Sequence, residues 1–151
     1  SKSIKENFSF CWYQFNKFWF IFTNRWRSQL KDLETCCIGY ILVISASQNK
    51  NFKPDKLHYK SYAKLIMGSD DKGVNAMSIS EITGIPRPTV VRKLKYLIDN
   101  KYLYINEKKL ISLNIRGFTS TSTEKLRNEN IINLSNFIFR VFNQIKIINS
   151  N

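Results

Sequence analysis

Residues 75–113 read NAMSISEITGIPRPTVVRKLKYLIDNKYLYINEKKLISL, and their local spacing decides how the chain is understood. Asn75 suits the N-cap of a short helix that stops at Gly84. Within it Ala76, Ile79 and Ile82 recur every three residues, and Ile85 continues the series past the turn. Gly84 supplies the permissive backbone a helix end asks for. Pro86 and Pro88 bracket the start of a second helix, tolerated there because first-turn N–H groups have no helical acceptor. The second helix is predicted over 88–100. Val90, Leu94 and Leu97 form its packing face, and Arg92 falls nearly opposite, flanked by Thr89, Lys95 and Tyr96. Lys93 falls towards one edge. Two β-prone runs, 103–105 and 110–113, then surround residues 106–109, a hairpin turn with a basic tip.

Helix, turn, basic helix, hairpin is the order of a winged helix-turn-helix, which sets one helix in a DNA major groove. Arg87, Thr89 and Arg92 are candidates for reading base edges, with Tyr96 beside them. Lys93, Lys95, Lys108 and Lys109 are candidates for phosphate contact. For Lys108 and Lys109 an ordinary solvated turn is an equally good reading.

The charge distribution points the same way. The chain of 151 residues carries a net charge of +13, and residues 86–118 hold eight basic and two acidic groups. Residues 1–60 also reach +6, but over nearly twice the length. An excess of this kind suits a polyanionic partner. Composition contributes too, since Lys outnumbers Arg 17 to 7.

Upstream, Phe8, Trp12, Phe15, Trp19, Phe22 and Trp26 form a 4-3-4-3-4 stripe, the spacing of a helix packed along its whole length. A lone helix could not cover that much aromatic surface. Aromatics with Lys and Arg would also suit a membrane surface, but so regular a stripe favours helix–helix packing. A second helix is expected from about Ser28 to Ser47, apolar all round in its later part. A third is expected over 54–67, with Tyr59, Tyr62, Ala63 and Ile66 on one face, and 68–73 reads as loop. The last helix, expected over 123–149, has capping-box spacing at Thr121 and Glu124. Ile131, Leu134, Ile138, Val141, Ile145 and Ile148 give it a second seam, thickened by Phe137 and Phe142.

Several function classes lose support. The longest apolar run, 36–46, is well short of the ~20 residues that span a bilayer, and no signal-peptide pattern is present. A soluble, cytoplasmic protein is expected, without membrane association. Cys11, Cys36 and Cys37 do not form a disulfide framework, and with the single His58 no metal site is expected. Buried, reduced thiols are expected instead, with the apolar setting of Cys36-Cys37 raising thiol pKa. No motif supports catalysis and no cofactor is implied; Asp70-Asp71 and Asp32/Glu34 have no catalytic partners in the sequence.

Thr83-Gly-Ile-Pro-Arg87, followed by Thr89, Val90, Arg92, Leu94 and Leu97, resembles the helix-turn-helix of bacterial winged-helix regulators. The similarity is greatest to the multiple-antibiotic-resistance (MarR) type. It covers about a quarter of the chain. Pro88 departs from the Ser or Glu common there, and Lys101 from the Gly that often ends the reading helix. The resemblance implies a homodimer in which N- and C-terminal helices interlock, although packing of the two seams within one chain is the alternative. It also implies an apolar or aromatic effector against the aromatic helix at the dimer interface, and in some members an oxidant-sensing thiol at the position of Cys11.

The expected fold is therefore mainly α with a small β-hairpin wing. Residues 1–53 form an aromatic-rich helical region, 54–118 the winged helix-turn-helix, and 119–151 a C-terminal dimerisation helix. The expected function is regulation of transcription on double-stranded DNA. A winged-helix scaffold for protein interaction is the alternative.

Overall fold

A computed structural model of the chain describes residues 2–47, 61–62, 73–114 and 121–149. Its described residues are mainly helical, with one two-stranded antiparallel hairpin. In chain order they form α1 (Lys2–Glu6), α2 (Phe8–Leu30), α3 (Leu33–Ser47), α4 (Ala76–Thr83), α5 (Arg87–Asp99), β1 (Leu103–Ile105), β2 (Ile111–Leu113) and α6 (Thr121–Asn149). The third expected helix, apart from Ser61 and Tyr62, lies outside the described residues, as do His58, Asp70, Asp71 and the side chain of Ile148.

The central stretch follows its local chemistry closely. Asn75 caps α4, its Oδ1 accepting from the Ser78 N–H at 2.9 Å. Gly84 ends the helix at φ 70, donating to the Ser80 carbonyl. α5 starts at Arg87, one residue earlier than expected, which puts Pro88 in the first turn, where it removes no helical hydrogen bond. Val90, Leu94 and Leu97 are buried as expected. Lys101 sits at φ 62, the left-handed position where a glycine would be less strained.

The hairpin pairs Leu103 with Leu113 and Ile105 with Ile111, and its turn is closed by Asn106, whose Oδ1 accepts from the Leu110 N–H. A third segment joins it. Val74 and Ile111 exchange backbone hydrogen bonds in an antiparallel bridge. The approach is so close that a Cβ on Gly73 would collide with Leu110. The expected loop over 68–73 lies, apart from Gly73, outside the described residues, and the bridge falls just after it, where a single paired residue leaves no periodicity to read.

The first two long helices meet later than expected. α2 continues to Leu30, and the break falls at Lys31 (φ 80) and Asp32. Asp32 Oδ1 accepts from both the N–H and the hydroxyl of Thr35, each at 2.8 Å, starting α3. Similarly, α6 begins at Thr121, so that residue lies inside the helix and not ahead of it. α3 is central but not buried all round: Cys36, Ile38 and Leu42 face the core while Leu33, Cys37 and Ile44 are exposed.

One core joins α2 and α3 to the α4–α5–hairpin unit, with Leu30, Ile38 and Leu42 packed among Ile79, Val90, Leu97 and Leu103. α6 lies antiparallel along α2 within the same chain. Gln144 reaches Asn7 at one end, and Arg25 reaches the Glu129 carbonyl and the Asn130 side chain at the other. Phe18 stacks on Phe137 between them, centroids 5.1 Å apart.

Candidate nucleic-acid interface

α5 has two chemically distinct sides because its apolar residues recur every three and four positions. Val90, Leu94 and Leu97 hold one side against α3, α4 and β1. On the other, Arg87, Arg92 and Lys95 are exposed, with Thr89 half-buried beside them. Pro88, Val91 and Asp99 share that surface, so it is cationic without being uniformly so. The hairpin follows directly and packs on α5, carrying Lys108 and Lys109 on its exposed turn together with Glu107. Lys109 takes a left-handed backbone, φ 59, as a tight turn demands.

Lys93 is a correction. Expected on a phosphate, it is instead buried, 7% exposed, with its ammonium 2.7 Å from Asp32 Oδ2 and 3.1 Å from Glu34 Oε2. An ammonium already held by two carboxylates is not available to a backbone phosphate. Burial by itself would lower the pKa of Lys93, but the hydrogen bonds to Asp32 and Glu34 raise it above the usual lysine value. Burial would likewise raise Asp32. The Lys93 hydrogen bond, with those from Thr35, outweighs this and holds it at about 2.

Tyr96 is also engaged inward. It is half-buried, and Lys31 Nζ stands 5.4 Å over its ring, within cation–π range. Gln29 donates to the Tyr102 hydroxyl at 2.8 Å just beyond the end of α5. The α2–α3 corner thus clasps one flank of α5 through Lys31, Asp32 and Glu34, and Gln29 holds Tyr102 just past its end. Sequence reasoning saw Asp32 and Glu34 only as acids without partners. Their partner lies about 60 residues away, and no spacing rule reaches that far.

Comparison with protein-family models, with curated proteins and with solved structures finds no match to this chain.

The residues expected to dimerise divide by place. Phe22 and Trp26 turn towards α3 and border a partly open apolar pocket. Phe8, Trp12, Phe15 and Trp19 stack on one another along α2, with centroids 5.5, 5.4 and 6.4 Å apart, and remain exposed. On α6, Ile131, Leu134 and Ile138 are exposed and Val141 and Ile145 half-buried. Both stripes lie about 100° round from the α2–α6 contact line and, the helices being antiparallel, on the same side of it. They form a single apolar face.

The thiols differ from expectation at one position. Cys11 and Cys36 are buried, whereas Cys37 is exposed. Burial, then its neighbours Cys37 and Asp32, push the Cys36 thiol up to about 11. Among the described residues no group of three or more His, Cys, Asp or Glu could hold a metal ion, and no helix is long and apolar enough to cross a membrane.

Proposed function

We propose that the chain is a winged-helix, sequence-specific DNA-binding regulator of transcription that acts as a homodimer. The observation that carries this reading is the two-sided α5: Arg87, Arg92 and Lys95 exposed on one side, and Val90, Leu94 and Leu97 anchored in the core on the other. A helix held rigidly from behind, with guanidinium and hydroxyl groups in front, meets the demands of major-groove readout. Arg92, Arg87 and Thr89 read bases. Lys95, with Lys108 and Lys109 on the hairpin, neutralises phosphates. The apolar face of α2 and α6 pairs with a second copy, so that two reading helices meet half-sites about 10 bp apart.

The test is selection of bound fragments from a genomic library at two salt concentrations, followed by Arg92→Ala on the selected site. Loss of a bidentate base contact lowers discrimination at one base position by about 1–3 kcal/mol. Equal weakening on every sequence would mean that Arg92 acts only as a charge, and sequence-specific reading would be abandoned.

The exposed aromatic face favours one other reading, a winged-helix scaffold whose α2 docks a different protein. A chain that is monomeric in solution and binds DNA without sequence preference would favour the scaffold.

A further inference from the structure

Among the described residues, positive φ outside glycine occurs at Lys31 (φ 80), Lys101 (φ 62) and Lys109 (φ 59). All three are exposed lysines, at the α2–α3 corner, just past the end of α5 and in the hairpin turn. A left-handed backbone suits glycine first and asparagine next, and a Cβ bearing a long chain makes it costly. A costly conformation kept at an exposed turn points to a use for the side chain.

Lys31 carries this furthest. Its Nζ stands 5.4 Å from the centroid of the Tyr96 ring. Tyr96 follows Arg92 by four residues, about 40° round the helix. The ammonium is therefore held at the margin of the surface that presents Arg92 and Lys95. A helix lying in a major groove has the sugar–phosphate strands along its flanks. An aromatic face occupies one side of an ammonium and leaves N–H donors for an oxygen acceptor. The acidic neighbours do not cancel this charge, because Lys93 takes up Asp32 at 2.7 Å and Glu34 at 3.1 Å.

We propose that the α2–α3 corner is a DNA-backbone contact, in which Lys31, steadied by Tyr96, neutralises one phosphate beside the reading helix. The left-handed backbone at position 31 is the cost of keeping a cation there. This rests on the DNA-binding reading but not on base recognition, since a phosphate contact carries no sequence information.

The test couples the salt dependence of DNA binding to thermal melts of the full chain. The duplex is the one the parent chain selects, or a mixed-sequence duplex where it selects none. Lys31→Gly removes the charge and relieves the backbone. It should lower the log–log salt slope by about 0.9, so that its affinity deficit narrows about threefold between about 50 and 200 mM salt. Its melting temperature should be unchanged or up to about 4 °C higher. Lys31→Asn, which also tolerates φ 80, should show the same slope loss and serves if glycine loosens the corner. Lys31→Arg should keep the parent slope. Lys17→Ala removes an exposed charge about 20 Å back along α2 and should leave the slope unchanged. An unchanged slope in Lys31→Gly and Lys31→Asn would overturn the proposal, and a lowered melting temperature beside it would leave Lys31 a purely structural role. Equal slope loss in Lys17→Ala would overturn it too, since net charge alone would then be at work. A parent chain that binds no duplex overturns this proposal and the DNA-binding reading together. Binding without sequence preference, with the slope loss still confined to position 31, supports the contact and counts only against base recognition.

Discussion

The two oxygens of Asp32 serve different elements, one accepting from Thr35 at the start of α3 and the other from Lys93 on α5. With the folded carboxyl at about 2 and an unfolded aspartate near about 3.9, the folded state binds this proton less readily. The contribution is therefore present above pH ~4 and lost as pH falls towards 2. Lys93 works in the opposite sense: its pKa is raised, so its share is complete below the ordinary lysine value and lost only in strong alkali. Thermal melts of the parent chain and of Asp32→Asn should thus differ most above pH 4 and converge as pH approaches 2. A difference that stays constant across that range would show that Asp32 acts only as a cap. Residue chemistry of this kind was half legible in the sequence. The cap needs only Thr35, three residues on, whereas the ion pair needs the fold.

At the scale of the element, α5 shows what periodicity can and cannot assign. The series Val90, Leu94, Leu97 identified the packing side, and Arg92 followed as its opposite. A position at the edge of the helix, such as Lys93, is decided by whatever stands beside it. Two carboxylates stand there, so a lysine that looked like a phosphate ligand became part of the packing. The two neighbouring lysines should consequently behave differently on substitution. Lys95→Ala should reduce the salt dependence of DNA binding by about 0.9 in log–log slope, the loss of one phosphate contact. Lys93→Ala should leave that slope unchanged and lower folding stability by about 1–2 kcal/mol, less than a deeply buried pair because its carboxylate partners are 41% and 54% exposed. Salt titrations of binding, paired with denaturant melts, distinguish the two. Equal loss of slope in both variants would return Lys93 to the DNA surface.

Across the whole molecule, the terminal helices take one of the two arrangements that the sequence left as alternatives, packing within the chain, and leave apolar surface on which the other would rest. α2 and α6 pair within one chain along Arg25, Phe18 and Asn7, and they still leave Phe8, Trp12, Phe15 and Trp19 exposed beside Leu134 and Ile138. A stacked aromatic row open to water is a costly surface for a monomer. Trp12→Lys with Ile138→Lys should convert a dimer to a monomer in sedimentation experiments with unchanged helicity. It should also weaken binding to a paired site by about 10²–10⁴-fold, the loss of linked engagement. A parent chain that already sediments as a monomer, or a variant that remains a dimer, would remove the second copy from the proposal.

The sequence by itself determined the elements and their local ends: the Asn75 cap, the Gly84 stop, the packing row of α5, the hairpin around Asn106 and the two terminal seams. Each depends on residues within a turn or two of one another, where backbone geometry and side-chain spacing act directly. Only the tertiary structure decided what those elements meet. It turned Lys93 inward, brought Val74 to Ile111, paired α2 with α6 and set Lys31 over Tyr96. These outcomes depend on which surfaces become neighbours when the chain folds, and a linear pattern carries no record of that.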